Sequence, residues 1–223
     1  VAAVDPVLPL DDAAKLRALI FERLHGTAPH DDFESAVRAS AVNALVRQHL
    51  TRAPVAAAVL VPIVDREREL TVLLTRRASH LRHHAGQISF PGGRIEPTDE
   101  GPSAAALREA REEIGLPPEH VTLVGYLTPQ LVTSGFWVTP VVGLVRPAFD
   151  LRLDASEVET TFEVPLAYVL DPANHRARER TIGTTSIKIY EIPFGAYNIW
   201  GATAAMLMAL YRALRGETVD CRP

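Results

Sequence analysis

The sequence predicts one α/β domain preceded by an N-terminal helical extension. Three features predict it: helical spacing of apolar residues through the first fifty positions, a switch to short β-rich runs at Pro54, and further strand-like runs interleaved with two strong helices. The extension is expected over residues 1–50 and the domain over 51–223.

Residues 11–24 place Leu16, Leu19, Ile20 and Leu24 at helical spacing behind Asp11 or Asp12 as N-cap, and Gly26 ends the run. A second helix is expected over 32–49, burying Phe33, Val37, Val42 and Leu45. The extension has two candidate roles, a lid or a homodimer interface. From Pro54 the period shortens. PVAAAVLVPIV and ELTVLLTRR flank the polar turn 65–69 and read as a hairpin. The stretch RASHLRHHAGQISFPGGRIEPTDEG contains four glycines and two prolines and reads as a long loop, a feature that is usually functional inside a compact domain. A helix starts at Pro102, which suits a first helical position, and stops at Gly115. VTLVGYLT, FWVTPVVGLV and TTSIKIYEIPF are further strands, and a last helix runs over about 200–214.

Composition narrows the function. With 47% hydrophobic and 22% charged residues the 223-residue chain is of ordinary globular type, and a net charge of −4 gives no electrostatic case for nucleic acid as partner. Lysine occurs only at Lys15 and Lys188, so nearly every cation is Arg, the side chain that grips phosphate through two parallel donors. Cys221 is the single cysteine, which excludes a disulfide within the chain and points to a reducing, cytoplasmic setting. The opening VAAVDPVLPL is unlike a signal peptide, and no apolar run has the length of a membrane span.

The chemistry is concentrated in REAREEIGL, residues 108–116. Glu109, Glu112 and Glu113 stand at i, i+3 and i+4 and share one helix face, while Ala106, Ala110 and Ile114 form an apolar stripe on another. A solvated acidic face would use the same residues, but helix physics disfavours it. Like charges at i,i+4 cost roughly 0.2–0.5 kcal/mol per pair. Acids in a last turn oppose the helix dipole by about 0.3–1 kcal/mol each. A hard divalent cation, which takes oxygen ligands, would turn that cost into a site. Gly92 and Gly93, upstream, let backbone approach a ligand closely, and Arg76, Arg77, Arg82 and Arg94 bracket them with positive charge.

Residues 93–116 resemble the Nudix box: a glycine, a spaced acid, then R-E-x-x-E-E-x-G. One residue is extra. Asp99 keeps the usual spacing to Gly93 and Glu100 keeps the usual spacing to Arg108, so either is the outer acid. Residues 73–93, LLTRRASHLRHHAGQISFPGG, are similar to the signature upstream of the box in coenzyme A pyrophosphatases, and SGFWVTPVVGLV and YNIWGATAAML are also similar to that subfamily.

The resemblance implies a Nudix α/β/α sandwich with a mixed sheet. It also implies hydrolysis of coenzyme A or its thioesters to 3′,5′-ADP and 4′-phosphopantetheine, by water attack on phosphorus with Mg²⁺ or Mn²⁺ as cofactor. Glu109, Glu112 and Glu113 match the metal ligands, with the Gly92 or Gly93 carbonyl a candidate addition; Arg108 would orient a ligand carboxylate. Glu157, in DASEVETTF, is the downstream candidate for general base beside the box acids. Arg77 and Arg82 are the candidates for substrate phosphates, together with the Gly92–Gly93 backbone. His80, His83 and His84 lack a cysteine partner and are poor zinc candidates. Trp200 and Phe136 read as core or pocket wall. Two alternatives stay open: a Nudix hydrolase of another nucleoside diphosphate derivative such as ADP-ribose or an oxidised nucleotide, and a non-catalytic regulator of the same fold. The regulator would be expected to lose box carboxylates, and this chain keeps all three.

Overall fold

The computed structural model describes residues 7–30, 33–38, 41–81, 84–182 and 185–217. Its elements in chain order are α1 (Ala13–Leu24), α2 (Phe33–Arg38), α3 (Ala41–His49), β1 (Val55–Asp65), β2 (Leu70–Arg77), β3 (Ile88–Ser89), β4 (Gly92–Arg94), α4 (Pro102–Ile114), β5 (Val121–Tyr126), β6 (Gln130–Leu131) and β7 (Phe136–Val145). There follow β8 (Val158–Pro165), α5 (Leu166–Leu170), β9 (Arg176–Ile182), β10 (Thr185–Phe194), β11 (Tyr197–Trp200) and α6 (Gly201–Leu214).

A mixed sheet of eight strands runs β3-β2-β1-β7-β5, with β4 on β1, β6 on β7 and β8 on β2. Strand β1 lies parallel to β7 from Val55↔Phe136 to Val64↔Val145. Its other edge is shared: β4 takes Ala57–Val59, and β2 takes Ile63–Asp65 as the second arm of the expected hairpin. Alternation along β1 feeds two cores. Ala57, Val61 and Ile63 face α1 and α6, whereas Ala58, Leu60 and Val64 face α4. The result is an α/β/α sandwich. A second antiparallel sheet, β11-β10-β9, sits beside it.

Helix α1 begins one or two residues after the expected caps; Asp12 is the N-cap and accepts from the Lys15 amide at 3.0 Å. Its Leu16, Ile20 and Leu24 join the same core as β1 and α6. Helix α1 is thus part of the core that the sheet and α6 share. The single helix expected over 32–49 is two helices, α2 and α3; Asp32 and residues 39–40 lie outside the described residues. Val37 and Leu45 are buried as expected, but Val42 is 36% exposed. The buried neighbours on α3 are Asn43, Leu45 and Val46, so the inward face is turned one residue from the one the apolar spacing suggested. Asn43 is buried because its amide serves loop backbone, donating to Pro129 O at 3.0 Å and accepting from Leu131 N at 2.9 Å.

The last helix starts at Gly201 with Trp200 as N-cap. The long loop after β2 is shorter than expected because β3 and β4 divide it. Strands β6, β8, β9 and β11 and helix α5 are not among the elements that the sequence predicts. No helix of the described residues is long and apolar enough to cross a membrane. Cys221 lies outside the described residues.

An ion pair ties the β1–β2 turn to β8. Glu163 accepts from Arg66 Nε at 3.1 Å, again from Arg66 Nη2, and from the Thr71 hydroxyl. Burial pushes the Glu163 carboxyl up, but the Arg66 and Thr71 hydrogen bonds outweigh it and hold it below the usual carboxylate range. The contribution is therefore complete above the unfolded carboxylate pKa, near 4.3, and lost as pH falls through the lower folded value. Stability should decline below about pH 4, and Glu163→Gln should flatten that decline by on the order of 1 kcal/mol, since both partners keep some solvent exposure. Urea midpoints at pH 3.5 and 6 measure this; identical pH slopes in both proteins would refute the assignment.

Candidate active site

Helix α4 lays its small residues on the sheet. Ala105, Ala106, Ala110 and Ile114 are at most 1% exposed against Ala58, Leu60 and Val141. Burying Ile114 alone stabilises by roughly 1.5–3 kcal/mol. Gly115 closes the helix in the left-handed conformation at φ 69°. The last carbonyls of α4 are met from a distant loop: Asp154 N donates to Glu113 O and Arg152 N to Ile114 O, both at 2.9 Å. This contact brings residues 151–157 to the helix end, and the Ala78 amide fixes Glu157 O at 2.8 Å.

The glycine pair is required by close approach rather than by a turn. Strand β4 presses on β1 and α4 together. A Cβ on Gly92 would stand 2.4 Å from Ala58 O, and a Cβ on Gly93 would stand 2.3 Å from Glu109 Oε1. The pair is held in register by β1, with Val59 opposite Gly92 and Ala58 opposite Gly93, and the preceding β3 is fastened in turn. Thr75 donates to Ser89 O at 3.0 Å, and Thr203 of α6 donates to Ile88 O at 2.9 Å.

Arg108 organises the acids. Its Nε and Nη2 donate to the two Asp99 oxygens at 3.1 and 3.0 Å. Its Nη1 reaches Glu109 Oε1 at 2.9 Å and Glu112 Oε2 at 3.0 Å, and its Nη2 also reaches Arg94 O at 3.0 Å. The bidentate hydrogen bonds from Arg108, with the Glu96 amide adding one more, hold the Asp99 carboxyl below its usual range. Geometry thus selects Asp99 over Glu100, which is exposed, as the outer acid.

Glu113 is the buried member, 5% exposed. Burial first, then the Glu157 charge and more weakly that of Glu109, push its carboxyl up to about 8 against the Gly92 amide, which donates at 3.3 Å, and the Arg77 guanidinium. Glu109 is also raised, chiefly by burial, against the hydrogen bond and charge of Arg108 and with the charges of Glu112 and Glu157 adding to the burial. The structure therefore gathers Glu109, Glu112, Glu113, Glu157, Arg77, Arg108, Gly92 and Gly93 at one place. Arg82 and His83 lie outside the described residues. His80 bonds Ser156 O and His84 bonds Gln87.

In this arrangement no three His, Cys, Asp or Glu side chains among the described residues converge as a formed metal cage. Arg108 draws Glu109 and Glu112 to its own nitrogens. The donor set nonetheless fits a hard divalent cation: all oxygen, partly desolvated, mutually repelling, and seated against a glycine with no room for a side chain. The spacing in the sequence found the helix acids. It could not reveal the loop that caps α4, because amides meeting carbonyls leave no residue-type trace. Trp200, 39% exposed, is a pocket wall and not core: it lines a surface pocket with Arg178, Glu191 and Asn198.

Comparison with known proteins gives consistent matches. The family model described as NUDIX domain matches residues 54–181. Proteins named Uncharacterized Nudix hydrolase NudL in Salmonella paratyphi B and Salmonella newport are each 43% identical over 154 residues, covering 69% of this chain and 80% of theirs. A crystal structure of a MutT/nudix family protein from Enterococcus faecalis is 17% identical, covers 83% of this chain and 75% of that one, and superposes with a TM-score of 0.48.

Proposed function

Since the chain belongs to the Nudix domain family, we propose that it is a metal-dependent pyrophosphohydrolase that cleaves the diphosphate of coenzyme A or its thioesters to 3′,5′-ADP and (acyl-)4′-phosphopantetheine. Family membership makes it a hydrolase of phosphorus anhydrides. The observation that carries the chemistry is the set of carboxylates on one face of α4, with Glu109 packed against Gly93 and Glu113 accepting from the Gly92 N–H at 3.3 Å. The coenzyme A assignment is supported by the stretch 73–93, whose Arg77 carries a charge that favours the ionised form of Glu113.

Glu109, Glu112 and Glu113 would hold Mg²⁺ or Mn²⁺ with the Gly93 carbonyl, and the bound metal would polarise phosphoryl oxygens and lower the pKa of water. Arg108 holds two of these carboxylates by hydrogen bonds and is itself held by Asp99, so it would orient them as they turn to the metal. Glu157, an exposed acid on the loop that caps α4, would accept the proton of the attacking water. Arg77, and Arg82 with it, would neutralise substrate phosphates.

Turnover of coenzyme A, ADP-ribose and 8-oxo-dGTP with Mg²⁺ or Mn²⁺ tests the proposal. Coenzyme A should give a kcat/KM at least about tenfold above the others, a difference of some 1.4 kcal/mol in transition-state binding. Robust cleavage of another nucleotide with none of coenzyme A would overturn the substrate and leave the chemistry standing.

A further inference from the structure

We propose that Arg94, laid over the Phe136 ring, forms the platform on which the planar base of the substrate's nucleotide half stacks. The inference rests on the pyrophosphohydrolase reading and adds the site of base recognition to it.

The pair is fastened to the acids. Arg94 follows Gly93 directly, about 3.3 Å along the strand. Its carbonyl accepts from Arg108 Nη2 at 3.0 Å, the guanidinium that also bridges Glu109 and Glu112. Alternation turns the Arg94 side chain away from the α4 face that Gly93 presents to Glu109. There its Cζ lies 5.5 Å from the Phe136 centroid.

Arg94 is exposed, and among the described residues its guanidinium has no carboxylate partner. This sets it apart from Arg17, Arg66 and Arg108, each of which is paired with an acid. An arginine held by a ring instead of an acid keeps its charge and one planar face free for a ligand. The ring is a firm support. Phe136 is half-buried at the first residue of β7, and Gly135 before it is held by Val132 O at 2.9 Å. Trp137 after it is buried edge-on against Phe33 at 4.8 Å. A flat, delocalised cation on an aromatic base is a surface for stacking, and purines stack well on guanidinium planes. A compact phosphate would use the charge of Arg94 but would gain nothing from the ring beneath it.

The test compares wild type with Arg94→Lys, Arg94→Gln and Phe136→Leu. KM is measured for coenzyme A, and inhibition constants are measured for 3′,5′-ADP and for ribose 5-phosphate, which keeps a phosphate but lacks the base. Loss of stacking should raise KM and the 3′,5′-ADP constant roughly tenfold in all three variants, with kcat and the ribose 5-phosphate constant nearly unchanged. Recovery by Lys, or equal weakening of ribose 5-phosphate, would show that Arg94 reads a phosphate and would overturn the proposal. Unchanged constants in Phe136→Leu would overturn it as well. Should wild type cleave another nucleotide and not coenzyme A, the substrate reading fails first, and the same variants assayed with that nucleotide and its base-bearing product still decide the platform.

Discussion

Replacing Glu113 by Gln should lower kcat by roughly a thousandfold, equivalent to about 4 kcal/mol of lost transition-state stabilisation, with the fold intact. The substitution keeps shape and volume at a position that is 5% exposed, and its amide can still accept from the Gly92 N–H. It replaces a carboxyl whose charged form burial and the neighbouring Glu157 both disfavour by a side chain that never ionises. The metal-free variant should therefore melt at or above the wild-type temperature. Wild type should gain thermal stability from added Mn²⁺, because a ligand that binds only the native state stabilises it, and the variant should gain far less. Activity within tenfold of wild type would remove Glu113 from the metal site. A variant that melts well below wild type without metal would instead assign Glu113 a structural role.

Where the sequence read well, the physics was local. The α4 stripe, the Pro102 start and the Gly115 stop depend on residues within one helix, and all lie where spacing put them. The hairpin of β1 and β2 is equally local. Where it failed, the cause lay elsewhere in the chain. Strand β9, RARERTI, carries no apolar alternation; its backbone pairs with β10 from Arg176↔Glu191 to Ile182↔Thr185, and the pairing makes it a strand. Strand β8 pairs all along β2 yet has a mixed polar sequence, VETTFEVP, which reads as loop. Helix spacing alone ran α2 and α3 together. The choice between Asp99 and Glu100 needed the direction of one guanidinium, which a spacing rule with an inserted residue cannot supply.

The two adjacent glycines should respond to alanine in opposite ways. At Gly92 the added Cβ meets Ala58 O at 2.4 Å and Val59 Cα at 2.6 Å. Both belong to the backbone of β1, which is locked against β7 along ten residue pairs and cannot move aside. Gly92→Ala should cost roughly 2–4 kcal/mol of stability and lower the melting temperature by about 10 °C. At Gly93 the atoms nearest the added Cβ are those of the Glu109 carboxylate, with Oε1 at 2.3 Å and Oε2 at 2.8 Å. That group ends a flexible side chain and can rotate away, so the fold should lose about 1 kcal/mol or less. What it vacates is the place beside the β4 backbone where Glu109 is held by Arg108 Nη1 at 2.9 Å. Displacing one metal carboxylate by an ångström or more should cost roughly a hundredfold in kcat. Gly93→Ala is thus expected to be folded and nearly inactive, and Gly92→Ala to be unstable first and inactive as a consequence. Thermal melts and single-turnover rates on the two proteins separate these outcomes. A Gly93→Ala enzyme with wild-type turnover would show that the Glu109 carboxylate has no part in the reaction where the fold holds it.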